Sequence, residues 1–173
     1  MPMPLGDTFL PWDLGILLFT AGELDEARSV LERAAEIASV GRIRAWVVDS
    51  LGIVAYRRGD RLEARRLFRQ ALVALANYRD LRGCAMAVEH MASVAGALES
   101  WRRAARLLGA AEMLYDQSSQ VAFPAWQLEP DRIAAACLQG LGEKSYAAAV
   151  AAGRAMSVER AVHYALEPDS RQR

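Results

Sequence analysis

Long apolar runs are missing from this sequence. None approaches the roughly 18 uninterrupted apolar residues that a membrane-spanning helix requires, so no such span is expected. The opening stretch, MPMPLGDTFLPW, has no basic segment ahead of an apolar one, so no secretory signal is expected either. Cysteine is scarce. Cys84 and Cys137 lie far apart, with no CxxC or Cys/His spacing to suggest zinc. Each sits among alanines and apolar residues, which predicts buried free thiols and fits a reducing, cytoplasmic setting. An excess of either charge is also absent: Lys plus Arg number 21, and Asp plus Glu number 21. A neutral chain has no long-range attraction for phosphate polymers, so direct nucleic-acid binding by this segment is not expected. The local cluster Arg57, Arg58, Arg61, Arg65 and Arg66 reads as a solvated surface of a helix pair.

Catalytic equipment is equally thin. There are two histidines, His90 and His163. Glu89 and His90 are adjacent, so on a helix they point about 100° apart and share no metal easily. Glu159 and His163 are four apart and read as a surface ion pair. No HExxH, GxSxG, GxxxxGK[ST] or glycine-rich nucleotide fingerprint occurs. Gly140-Leu141-Gly142 reads as a helix-end signal. The expectation is a non-enzymatic chain with no cofactor and no metal.

What is present is helix. The sequence is 53% hydrophobic, enough for a core and far from a disordered composition. Alanine and leucine dominate while β-branched residues are sparse. Apolar periodicity predicts helices to about Thr20, over Leu24–Ser39, and then in pairs: Ile43–Arg58 with Arg61–Tyr78, and Leu81–Leu98 with Trp101–Asp116. Asp7 or Thr8 is the expected cap of the first helix, with Pro11 in its first turn, and Ser100 is the expected cap before Trp101. An irregular stretch, Ser118–Leu128, separates these from three shorter helices: Pro130–Gln139, Glu143–Arg154 and Val158–Leu166. Ser157 is the expected cap of the last, and residues 167–173 form a frayed tail. The domain reading is thus 1–117 as three hairpins, 118–128 as a connection and 129–166 as a C-terminal helical cap. Within the connection, Phe123, Pro124 and Trp126 are expected to plug the last hairpin against the closing helices.

The hairpins repeat. Leu14-Gly15, Leu51-Gly52 and Met91-Ala92 fall in one column; Gly22, Gly59 and Glu99 in the turn column; then Ala27, Ala64 and Ala104; Leu31, Phe68 and Leu108; Ala34, Ala71 and Ala111. Ala27 to Ala64 is a step of 37 residues and Ala64 to Ala104 a step of 40. Small residues in these columns let helices approach, and the large apolar residue fills the space between hairpins. Such a unit cannot bury its apolar face alone, so copies stack. This skeleton, best kept from Leu51 to Ala71, resembles the tetratricopeptide repeat. The third copy departs, with Ala92 and Glu99 where glycines are expected. The resemblance implies an all-α right-handed solenoid of three tetratricopeptide-like hairpins, closed by a three-helix cap.

A second resemblance covers most of the chain. ARLLGAAEMLYD (Ala105–Asp116) and GEKSYAAAVAAGRAMSVERAVHYAL (Gly142–Leu166) look like the C-terminal end of bacterial signal-transduction ATPases and LuxR-type transcriptional regulators. In that family an NTP-binding domain precedes a helical-repeat sensor region. Neither the ATPase nor a helix-turn-helix is found in this sequence, so the resemblance implies the sensor end alone. It implies a protein, peptide or small effector as partner.

In a tetratricopeptide-like stack, the first helix of each pair lines the concave groove. The candidate groove residues are Trp46, Asp49, Ile53, Tyr56, Arg57 and Glu89, combining flat aromatic area with opposite charges. Alternatively, Asp49 and Arg57 pair within the helix layer. The apolar first helix, with Trp12, Ile16 and Phe19, is a second candidate interaction surface. It reads as a contact with another repeat or as a homodimer contact through the N-terminal solenoid end. The alternative to ligand binding is a structural or oligomerisation scaffold.

Overall fold

The computed structural model describes residues 6–38, 41–119 and 130–168. Helices account for nearly all of them: α1 Gly6–Ala21, α2 Leu24–Ile37, α3 Arg42–Arg57, α4 Arg61–Asn77, α5 Leu81–Ala97, α6 Trp101–Ser118, α7 Pro130–Leu141, α8 Glu143–Arg154 and α9 Val158–Leu166. Consecutive helices from α1 to α6 pack as three antiparallel hairpins. Each hairpin stacks on the next through its α2–α3 or α4–α5 junction. The fold is an all-α helical repeat. The expected plug of Phe123, Pro124 and Trp126 lies outside the described residues, as does the tail beyond Pro168.

The columns have physical counterparts. A Cβ built on Gly52 would sit 2.5 Å from the Phe68 ring, and one on Gly15 would sit 2.6 Å from the Leu31 side chain. The small residue of the first helix therefore receives the large residue of the second, in both of the first two hairpins. Ala27, Ala64, Ala104, Phe68 and Leu31 are fully buried behind them. At the turns, Gly22 and Gly59 adopt φ of 91° and 89°. The third hairpin keeps the same left-handed turn without the glycine, at Glu99 with φ of 56°. The turn geometry is set by the carbonyls it must satisfy: Glu99 N–H donates to Gly96 C=O, and Ser100 N–H to Ala95 C=O.

Several local expectations are corrected. α1 begins at Gly6, so Asp7 and Thr8 lie within it and Pro11 sits inside the helix beyond its first turn. α2 stops at Ile37, short of Ser39, whereas α6 and α7 run two residues further than the apolar pattern suggests. Ser100 occupies the cap position but makes no side-chain capping bond. The aspartates at the other junctions do cap: Asp60 accepts from Glu63 N–H and Asp80 from Gly83 N–H. Ser157 accepts from Arg160 N–H, as expected.

The C-terminal helices return onto the repeats. α8 lies against α6 at two facing glycines. A Cβ on Gly109 would meet the Val150 carbonyl oxygen at 2.1 Å, and one on Gly153 would meet that of Arg106 at 2.0 Å. α7 packs on α5 and α6, and Gly140 admits the edge of Trp101 there. That glycine is therefore a packing contact inside α7, while Gly142, with φ of 76°, makes the turn. α9 docks on α4, α5 and α6. The Arg103 guanidinium donates to the carbonyls of Tyr164, Ala165 and Glu167 and stacks 4.9 Å from the Tyr164 ring, closing the helix end.

Candidate ligand-binding cavity

α5 is the pivot of the site. Every residue from Gly83 to Gly96 is buried, because α3, α4, α6, α7 and α9 all pack against it. The inner layer is consequently closed where an open groove was expected. Of the six candidate groove residues, Asp49, Ile53 and Glu89 are buried, Trp46 and Tyr56 half-buried, and Arg57 exposed.

Ile53 belongs to the apolar core, and the other five residues divide into three groups. Trp46 donates its indole N–H to Asp80 Oδ2 at 2.9 Å and tilts against Trp12, with ring centroids 6.2 Å apart. Trp12 in turn donates to Ser50 Oγ at 3.0 Å. This ties α1, α3 and the α4–α5 turn together and occupies both indoles structurally.

The second group is a buried polar cluster. His90 Nδ1 lies 3.0 Å from Asp49 Oδ2, and the imidazole stacks on Phe68 at 4.9 Å. The alternative Asp49–Arg57 pair is replaced by this Asp49–His90 pair, which crosses between the first helices of two hairpins. Glu89 points beside it towards Tyr115. Burial pushes the Glu89 carboxyl above its ordinary range; the His90 ring and the Tyr115 hydroxyl oppose this shift, while Asp49 and Asp131 add to it. Burial and the nearby Glu89 raise Tyr115 as well. The cluster explains how a largely apolar helix accommodates Glu89, His90 and Ser93: Glu89 and His90 each face a polar group across the layer, and Ser93 Oγ donates to Glu89 C=O within α5.

Tyr56 and Arg57 form the third group and line a cavity of about 430 Å³ at the turn end of the second and third hairpins. Arg61, Trp101, Arg132 and Ile133 complete its principal walls. Room is left by Gly96, Ala97 and Ala136. Tyr56 is held by its hydroxyl, which donates to Ser93 C=O at 3.3 Å. Arg61 stacks 4.2 Å from the Tyr56 ring and donates to the Tyr56 carbonyl. Arg57 lies 5.6 Å over the buried Phe19 ring. Among the described residues, no acidic side chain lines the cavity.

The arginine run that read as a uniformly solvated surface is thereby divided. Arg58 pairs with Asp25, and Arg66 with Glu63. Among the described residues, neither Arg57 nor Arg61 has a carboxylate within ion-pair distance, and these two face the cavity. Arg61, Trp101, Arg132 and Ile133 were not legible as site residues. Arg132 and Ile133 reach the cavity only because α7 folds back across α5, and Trp101 only because α6 begins beside it.

The second candidate surface is turned around its helix. Trp12 and Phe19 are buried and Ile16 is half-buried, because the α2 and α3 layers take up that face. The outward apolar side chains of α1 are instead Leu10 at 74% exposure, Leu17 at 67% and Leu14 at 48%.

Both cysteines are free and buried, with burial pushing Cys84 up to about 12 and Cys137 up to about 11. His163 contacts Glu167 at 3.2 Å rather than Glu159, whose carboxylate turns to the start of α9. Among the described residues no group of three His, Cys, Asp or Glu side chains could hold a metal, and no helix is long and apolar enough to cross a membrane.

Comparison with known proteins agrees with this architecture. Residues 7–77 match the tetratricopeptide repeat family model, and this segment is a tetratricopeptide-repeat array. Over 149 residues, 86% of the chain, it is 31% identical to a Mycobacterium tuberculosis protein named "Putative HTH-type transcriptional regulator Rv0890c". It is similar to the same degree to a Mycobacterium bovis protein with a corresponding name. The chain spans 17% of the length of these relatives. No solved structure matches it.

Proposed function

We propose that this chain is the sensor or interaction part of a bacterial transcriptional or signalling regulator, without catalytic activity of its own. In this reading residues 1–117 carry the repeats and 129–166 cap them. The cavity between α3, α5, α6 and α7 receives the effector. The observation that carries it is the cavity itself: it is walled by two hairpins of the repeat array and by a helix of the cap, so an occupant would bear on both. Tyr56 and Trp101 offer aromatic surface, and Arg57 and Arg61 offer hydrogen-bond donors. The likeness to long regulators supports the context. Setting such an array beside an output domain would convert occupancy into a shift between two arrangements, provided the ligand binds one of them better.

The test is a fluorescence-quenching titration against candidate peptides and small effectors, repeated on Arg57→Ala and Trp101→Phe. Saturable quenching weakened by Arg57→Ala supports the reading. Equal affinity in both variants removes the cavity from it.

A further inference from the structure

The cavity's charge selects the chemistry of its occupant. We infer that it binds a small organic anion, a carboxylate or phosphomonoester carried on a flat or apolar body. This rests on the cavity being the effector site. Two guanidinium-bearing residues without a carboxylate partner among the described residues, Arg57 and Arg61, share its wall, with Arg132 beside them, and none of the described lining residues is acidic. Elsewhere some arginines meet carboxylates, Arg28 with Glu32, Arg66 with Glu63, and Arg154 with Glu112 and Asp116, and others donate to carbonyls of distant helices, as Arg69 and Arg103 do. Arg57 and Arg61 are distinguished by facing one concavity together without a carboxylate among the described residues, and like charges gathered there repel unless an anion enters.

Both are also positioned. Arg61 is fixed by its stack on Tyr56 and its bond to the Tyr56 carbonyl, and Arg57 by its place over Phe19. Each guanidinium carries five N–H donors in a planar fork, so one bond to a carbonyl leaves donors for a bidentate contact with a carboxylate or phosphate. Trp101, Ile133 and Tyr56 supply apolar and aromatic surface for the body of the ligand. The volume of about 430 Å³ suits a molecule of metabolite size and is too small for a folded partner.

The experiment follows indole N–H signals in ¹⁵N–¹H spectra during titration with phenyl phosphate, phenylacetate and neutral phenylacetamide. Trp101→Phe identifies the cavity signal. Phenyl phosphate or phenylacetate is expected to shift the Trp101 signal saturably while Trp12 and Trp46, bonded inside the fold, stay in place. Whichever of the two binds more tightly names the acid group. Raising the salt should weaken both. Arg57→Gln should reduce affinity about tenfold or more, the loss of a charge-assisted hydrogen bond, with partial recovery in Arg57→Lys. If phenylacetamide shifts Trp101 as strongly as the anions, the anionic class is overturned and the cavity survives as the effector site. If Arg57→Gln binds the anions normally, the assignment of the arginines fails. If no probe moves Trp101, both the inference and the effector-site reading fall.

Discussion

Gly109→Ala is the most demanding test of how the C-terminal helices close the repeats. A methyl group at Gly109 would lie 2.1 Å from the Val150 carbonyl oxygen and 2.9 Å from the carbonyl carbon. Both atoms are backbone, so no side-chain rotation relieves the clash and α8 must retreat from α6. Restoring ordinary contact takes a movement of about 1 Å, and a gap of that size forfeits a quarter to a half of each dispersion contact it opens. Leu107, Ala110, Ala111 and Leu114, buried on α6, share the packed core that such a movement disturbs. Overpacking of this kind costs about 1–3 kcal/mol, and an unyielding backbone puts this site at the upper end. Alanine's higher helix propensity returns about 1 kcal/mol. The expected net loss is about 2 kcal/mol, read from urea denaturation followed by circular dichroism. Gly153→Ala, facing Arg106 C=O at 2.0 Å, should cost about as much. The double variant should cost less than the sum, because one methyl has already parted the helices. A Gly109→Ala protein as stable as the parent, or more so, would refute the α6–α8 contact; additive costs would refute the shared mechanism.

Other predictions test different levels of the structure. Phe68→Ala should lose about 3–5 kcal/mol by cavity formation, and Ala64→Leu about 1–3 kcal/mol by overpacking; neutral denaturation midpoints for both would mean that the repeat columns are out of register. Glu99→Gly should stabilise by about 0.5–1 kcal/mol, since glycine removes the left-handed strain at φ of 56° at some entropic cost, and a lower melting temperature would contradict this. Glu89→Gln should flatten the pH dependence of stability. The folded carboxyl is raised above its usual 4.5 by burial, so the unfolded chain ionises first. The stability it supports is complete below that value and is lost as pH rises towards the folded value. Stability–pH curves that run parallel in the two proteins would exclude this role.

Much of the architecture was legible because helical repeats are local objects. The Leu-Gly, Ala and Phe spacing of residues 51–71 encodes a helix, a turn and a second helix, and the repeat of that spacing encodes their stacking. The turn at Glu99 shows where residue identity loses to geometry: the carbonyls of Ala95 and Gly96 demand the left-handed residue whether or not it is glycine. The site was less legible. Asp49, Glu89 and Arg57 look equivalent in a list of groove positions, yet two are buried and one is exposed. What separates them is which helices close over each position: α5 covers Asp49, and α6, α7 and α9 close around α5, with α7 standing in no periodic relation to the repeats.

By itself, then, the sequence determined the helical class, the three hairpins and the burial of Ala64, Phe68 and their counterparts. These depend on spacing within about 40 residues, a range over which chain geometry follows from helix periodicity. Tertiary structure alone decided that Asp49 meets His90 rather than Arg57. It also decided that Trp12 and Phe19 turn inward, and that Arg57 and Arg61 share a cavity with Trp101 and Arg132. Those outcomes depend on which helix covers which face after the chain folds back. That choice is made by the packed surfaces of several helices together, such as the Gly109–Gly153 crossing, and no single stretch of sequence carries it.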